Sequence, residues 1–266
     1  MFAVIFSIAL ARVPGNPRSV MLSFCNSLAE VTFKMVALVM LYAPIGIGAA
    51  IAVTIGQNGP AVLIGLGKLV ITMYIALIAF IVAIMLPVAI AFRVPLRSFV
   101  RAVREPALIA FSTSTSEAAL PVAMQMMEAI GVPPRIVGFV IPTGYTFNLV
   151  GSTLYLAVAA LFAAQAGNVP FPLSTQLLLM VTLMLTSKGI AGVPRAALVV
   201  LSGAVGAFGL PLQAVAVILG VDAFMDMGRT AINVVGNCLA AAVMARWEGV
   251  ALQDQAAEAA LTVAET

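Results

Sequence analysis

V-D-A-F-M-D-M-G-R-T-A-I-N-V-V-G-N, residues 221–237, sets two carboxylates and a guanidinium inside an otherwise apolar run. Asp222, Asp226, Arg229, Thr230, Asn233 and Asn237 recur every three or four positions, so on a helix they share one face. A charge at bilayer depth costs roughly 2.5–3.5 kcal/mol on insertion scales, so such a stripe persists where it faces a cavity or a ligand. Carboxylates and a guanidinium on one stripe suit a zwitterionic or anionic ligand. The competing reading is an Asp226–Arg229 pair that satisfies itself and only locks helices together, which leaves Asp222, Asn233 and Asn237 unaccounted for.

The surrounding composition puts the stripe in a membrane. Of the 266 residues, 63% are hydrophobic and 9% charged, and the mean hydropathy is +1.16, values foreign to a soluble domain. The chain has no histidine, which removes histidine metal sites, histidine general bases and the Ser-His-Asp triad together. Cys25 and Cys238 lie in apolar surroundings and read as small hydrophobes. The formal charge of +3 comes from arginines spread between apolar segments, not from a nucleic-acid-binding face. No basic leader or cleavage-like sequence follows Met1.

Apolar segments fall at 1–11, 30–56, 60–92, 99–130, 132–166, 174–211 and 213–247, before a polar tail at 248–266. Arg12 and Arg18, then Arg93, Arg97, Arg101 and Arg104, then Arg135 and Arg246 mark one side, whereas residues 57–60 and 166–175 carry no charge. The positive-inside rule makes the arginine-bearing connections and the C-terminus cytoplasmic. That assignment is consistent only if 99–130 and 174–211 each enter and leave on one side. S-T-S-T-S-E (residues 112–117) and T-S-K-G-I-A-G-V-P (186–194) cut these segments into arms of roughly 10–13 residues, about half a span. Each therefore reads as a re-entrant helical hairpin whose polar tip faces protein or water. Each is followed by a helix with a polar centre, Thr146, Asn148 and Ser152 in one and the 222–237 stripe in the other. Interrupted segments in corresponding positions of inverted halves point to a transporter binding site. Serine and threonine clusters that merely pack helices are the plainer alternative, and they leave the Gly and Pro of one tip and Glu117 of the other unexplained. The fold class is thus all-α integral membrane, multi-span, with two re-entrant hairpins in inverted repeats.

Four motifs, S-T-S-T-S-E-A-A-L-P, P-T-G-Y-T-F-N-L-V-G-S-T-L-Y, S-K-G-I-A-G-V-P and D-M-G-R-T-A-I-N-V-V-G-N, resemble in order those of the dicarboxylate/amino acid:cation symporter family, the glutamate transporter homologues. Within it the chain is most similar to the bacterial proton–glutamate symporters. The resemblance implies that Arg229 clamps a substrate side-chain carboxylate, Asp226 accepts its amino group and Asn233 binds its main-chain carboxylate. Thr115, Ser116, Ser152 and Thr230 add hydrogen bonds, and Val193, Pro194, Arg195, Ala196 and Ala197 close the outer gate. It implies cation or proton coupling through Gly144, Thr146, Asn148, Ser187, Ile190, Asp222 and Asn237. Glu117, the one acid at either tip, is the candidate proton carrier, the alternative being a permanently ionised side chain that braces the hairpin. Relatives that move C4-dicarboxylates tend to lack the acid at Asp226, so its presence favours glutamate or aspartate.

Three departures bear on this expectation. Val150 stands where sodium-dependent relatives carry an acid (N-L-V-G for N-L-D-G), and Asn237 replaces a second acid; losing two hard ligands favours co-transported protons over sodium. Arg195 stands where many relatives have glycine, either paired with Glu117 or lying in a water-filled vestibule. Relatives also begin with further spanning helices. Residues 1–59 then read as a remnant of a static scaffold and 60–247 as a moving transport domain: a spanning helix, hairpin 99–130, helix 132–166, hairpin 174–211 and helix 213–247. The chain looks N-terminally truncated; a fragment, an upstream start site and a degenerate copy read alike.

The expected protein is no enzyme and needs neither cofactor nor resident metal. It is a homotrimeric, elevator-type symporter of glutamate or aspartate in a bacterial inner membrane, with lipid as surroundings, a cytoplasmic C-terminus and no nucleic-acid partner. The alternatives are a C4-dicarboxylate symporter or a non-transporting remnant. A third class, an intramembrane protease, is disfavoured: an aspartyl type needs acids facing across a cleft, whereas Asp222 and Asp226 sit one turn apart on one helix, and a serine type lacks a histidine base.

Overall fold

The computed structural model describes residues 2–190 and 195–252. Its elements, in order, are α1 (Phe2–Arg12), α2 (Asn16–Leu41), α3 (Ala43–Asn58), α4 (Ala61–Phe80), a π-helical turn (Ile81–Met85) and α5 (Leu86–Ala91). Then come α6 (Leu96–Thr113), α7 (Ser116–Ala129), α8 (Pro134–Phe147), α9 (Val150–Ala166), α10 (Leu173–Thr186) and a 3₁₀ turn (Ser187–Gly189). The last are α11 (Ala196–Ala207), α12 (Gln213–Ile218) and α13 (Asp222–Trp247). No strand occurs among the described residues.

Two compact units result, Met1–Ala49 and Ala50–Thr266, with the dividing point inside α3. In the first, Gly15 turns the chain between α1 and α2 at φ 74°. Helix α2 begins at Asn16, well before the apolar segment read from residue 30. Pro17 in its first turn is pre-set for a helix start, and Ser19 Oγ donates to Asn16 O at 2.8 Å. The polar run before residue 30 is therefore helical although too polar to count as part of a span.

The second unit is organised around α13, which packs against α4, α6, α7, α8 and α9. Small residues make this possible. Ala159, Ala160, Ala163 and Ala164 of α9 and Ala241, Ala242 and Ala245 of α13 are all buried, and small side chains let helix backbones approach closely in an apolar medium. At Gly151 a Cβ would strike the backbone carbonyl of Arg229, so only glycine fits where α9 and α13 touch.

Helices Val62–Ala91 and Pro134–Ala166 are long and apolar enough to cross a membrane. The first is apolar on its buried and its exposed side alike. Leu66, Leu69, Met73 and Leu77 are buried while Ile71, Ile75, Ile78 and Val82 are exposed, so it is apolar on both faces, as a spanning helix is. This is an all-α membrane protein.

Segment 99–130 folds as two helices joined by a short polar turn, and segment 174–211 holds the two helices α10 and α11. In the first, Ser114 takes a left-handed conformation (φ 54°), and Thr115 caps α7 by accepting from Ala118 N at 3.2 Å. In the second, α10 runs into the 3₁₀ turn Ser187–Gly189, and α11 begins at Ala196. The segment read as one helix at 132–166 is instead broken at Asn148 and Leu149 (ψ 62° and 61°) into α8 and α9. The break persists because other elements satisfy the freed backbone groups, as described next.

Candidate functional site

Helix α13 supplies the framework. Asp222, Asp226, Arg229, Thr230, Asn233 and Asn237 are all between 0 and 4% exposed, so the single polar face read from the sequence is buried entirely inside the protein. Arg229 Nη2 lies 2.5 Å from Asp226 Oδ1. The self-satisfying pair therefore forms, but it is one link in a wider network. Arg229 Nη1 donates to Ser152 Oγ at 2.8 Å, its guanidinium sits 5.3 Å from the centre of the Tyr155 ring, and Thr230 Oγ1 donates to Asp226 Oδ1 at 3.3 Å.

The break between α8 and α9 meets this stripe. Asn233 Oδ1 accepts from the amides of Gly151 (2.8 Å) and Ser152 (3.3 Å), so its side chain caps the start of α9. Its Nδ2 donates to Ser152 Oγ at 2.9 Å. One turn on, Asn148 Nδ2 donates to Asn237 Oδ1 at 2.9 Å. Gly144 lies against that same side chain with no room for a Cβ. Tyr155 OH donates to Asp222 Oδ1 at 2.6 Å. Each stripe residue that a simple ion pair left unaccounted for thus has a partner on α9 or in the break that precedes it.

The turn between α10 and α11 closes on the network from another side. The amide of Arg195 donates to Asp226 Oδ2 at 2.9 Å. Ser187, fully buried, has its Oγ 3.3 Å from Thr153 Oγ1. Lys188 Nζ donates to the carbonyl of Phe147, the last residue of α8, at 2.5 Å.

Arg195 takes φ 65°, the left-handed region that favours glycine, which accounts for the glycine expected there in relatives. It forms no ion pair with Glu117, so that option falls. Glu117 is exposed in the first turn of α7, where a negative charge complements the helix N-terminus. Ser116, Ala197 and Ile190 are buried, Ala196 is half-buried, and Thr146 is exposed on α8, away from the buried stripe. Val193 and Pro194 lie outside the described residues. Tyr155, Thr153 and Lys188 carry contacts that the sequence reading did not assign. The spacing of Tyr155 three positions after Ser152 was the available signal.

Four buried polar atoms keep unused hydrogen-bonding capacity among the described residues: Asp222 Oδ2, Arg229 Nε, Asn237 Nδ2 and Tyr145 OH. Three belong to the stripe. No group of three or more acids, cysteines or histidines stands together to hold a metal among the described residues. Val150 instead borders two apolar cavities, of about 250 and 180 Å³, both also lined by Phe80.

Residues 1–247 match the sodium:dicarboxylate symporter family. The chain belongs to that family. It is 43% identical over 248 residues to a proton/sodium-glutamate symport protein of Geobacillus stearothermophilus, covering 93% of this chain and 59% of the relative. It is 42% identical over 247 residues to the proton/glutamate-aspartate symporter of Escherichia coli K12, covering 93% and 56%. It is 44% identical over 248 residues to a proton/sodium-glutamate symport protein of Bacillus subtilis 168, covering 93% and 58%. The chain thus spans less than two thirds of the length of these symporter relatives.

Proposed function

We propose that this chain carries the substrate- and ion-binding part of a symporter for glutamate or aspartate. The observation that supports it best is the donor and acceptor count around Asp226 and Arg229. A carboxylate offers about four acceptor positions and a guanidinium five donors. Asp226 accepts from Arg229, Thr230 and the Arg195 amide, which leaves it a position for an ammonium. Arg229 engages Asp226 and Ser152 and keeps Nε unused, which leaves donors for a carboxylate. An acidic amino acid brings both groups. Asn233 and Ser152, already joined at 2.9 Å, are placed to take the second carboxylate by exchanging partners.

Proton coupling is the second part of the proposal. Glutamate carries net −1, so moving it into a negative cell costs about 2.3 kcal/mol per 100 mV, and two or more co-transported cations reverse the sign. Val150 and Asn237 deny sodium two carboxylate ligands. Relatives are named for protons alone or for protons and sodium. The remaining parts are a static region at 1–59, a moving region at 60–247 with both helix–turn–helix segments re-entrant, elevator-type movement, a trimer, and a cytoplasmic C-terminus in a bacterial inner membrane.

A C4-dicarboxylate substrate is the second reading, favoured by the family's description; it differs by leaving Asp226 without an ammonium to pair. The test is calorimetry on the purified chain in nanodiscs with L-glutamate, L-aspartate and succinate, followed by uptake into vesicles under a pH gradient. Tighter binding of the amino acids than of succinate is expected. Equal affinity for succinate would reassign the substrate, and binding without uptake would make the chain a non-transporting binder.

A further inference from the structure

Helix α8 stops at Phe147 in the interior of a segment long and apolar enough to span a membrane. The last carbonyls of a helix have no intrahelical partner and carry about half a negative charge between them. Half-helix ends of this kind attract cations in membrane transporters. Asn148 N takes the carbonyl of Gly144. The carbonyl of Phe147 is taken by the ammonium of Lys188, from the 3₁₀ turn after α10.

Lys188 forms no ion pair with any described acid. It lines the cavity of about 250 Å³ whose other walls include Phe80, Leu154, Met180 and Leu183. The Lys188 side chain is otherwise exposed, and the carbonyl end of α8 is the group its ammonium engages. Its neighbour Ser187 meets Thr153 on α9, so the turn is tied to both sides of the helix break. Farther along the same loop, the Arg195 amide meets Asp226.

We propose that Lys188 is a tethered counter-cation: its ammonium neutralises the broken end of α8, holds the 187–189 turn against it, and occupies on the chain the place a free monovalent cation would otherwise fill. Lys188 is then a positioning residue that supplies in covalent form one of the charges that closing the site requires. The bearing on transport rests on the symporter reading above; the closure of the turn does not.

The test uses hydrogen–deuterium exchange of the backbone amides at 187–190, on the 266-residue chain in nanodiscs without substrate. Lys188→Ala, in N-methylglucamine buffer, should exchange roughly tenfold faster there than the parent. Sodium or methylammonium should restore its protection, and Lys188→Arg should match the parent without them. Lys188→Gln keeps a donor but no charge, and should also lose protection. Should the alanine variant fail to fold, the glutamine variant decides. Protection unchanged in the alanine or glutamine variant, or lost and unmoved by any cation, overturns the proposal and leaves an ordinary structural hydrogen bond. A chain that behaves as expected in exchange yet binds no glutamate would instead remove the symporter reading and leave the counter-cation standing.

Discussion

The backbone amide of Arg195 and the Oδ2 of Asp226 are hydrogen-bonded at 2.9 Å, so the carboxylate proposed to recognise an ammonium also holds the residue that precedes α11. Asp226→Ser should therefore shift preference from amino acids toward dicarboxylates and loosen the 195 region together. An amino group without its carboxylate loses a charge-assisted bond, whereas succinate loses nothing. Competition binding on parent and variant reads this directly. Succinate competing equally poorly against both would refute the amino-group assignment.

Arg229→Ala should abolish binding of acidic substrates while the protein stays folded and inserted. The guanidinium is the one cation on the buried stripe, and breaking such a charge pair typically costs about 2–5 kcal/mol. Calorimetry with glutamate on the folded variant is the measurement; unchanged affinity would take Arg229 out of the site.

Arg195→Gly should stabilise the chain by about 1 kcal/mol, because an L side chain at φ 65° carries a left-handed penalty that glycine lacks. Its amide bond to Asp226 is retained, so substrate affinity should not fall. Thermal unfolding in detergent gives the comparison, and a lowered midpoint would mean that the arginine side chain contributes more than its backbone strain costs.

Two glycines should respond differently to alanine. At Gly151 the new methyl meets the backbone of Arg229, which cannot move aside, so unfolding should be easier by several kcal/mol, in the range of about 1–3 or more for overpacking. At Gly144 it meets the Asn237 side chain, so Asn237→Ala should rescue Gly144→Ala but not Gly151→Ala. Unfolding midpoints of the single and double variants separate the cases.

Glu117→Gln, introduced in a full-length version and reconstituted in vesicles, should still exchange glutamate but lose accumulation driven by a pH gradient. The motive is its place as the one acid at either helix–helix turn, exposed and outside the buried network. Normal pH-driven accumulation would move the proton to Asp222 or Asp226.

The polar face of α13 was legible in the sequence because helical periodicity and the cost of buried charge act on one segment alone. The turns at Ser114 and Ser187 were legible for the same reason: polar residues interrupt apolar runs too short to span. The break after Phe147 was not, since only Asn148 and Gly151 mark it and it is held open by Asn233 and Lys188, far along the chain. The π-helical turn Ile81–Met85 sits in an unbroken apolar run and gives no local sign. Tyr155 was missed because its role depends on meeting Asp222, which only the packing of α9 on α13 brings about.

The interruption at Asn148 and Leu149 sets the end of one helix beside the start of the next, so opposite poles of the peptide dipole stand a few residues apart at one level of the protein. The amides of Gly151 and Ser152 at the positive pole take the side-chain oxygen of Asn233, and the Phe147 carbonyl at the negative pole takes the Lys188 ammonium. Because the two poles are ends of one continuous backbone, neither can shift without displacing the other. A site of partial negative charge and a site of partial positive charge are thus held a fixed few residues apart by a single gap in one helix.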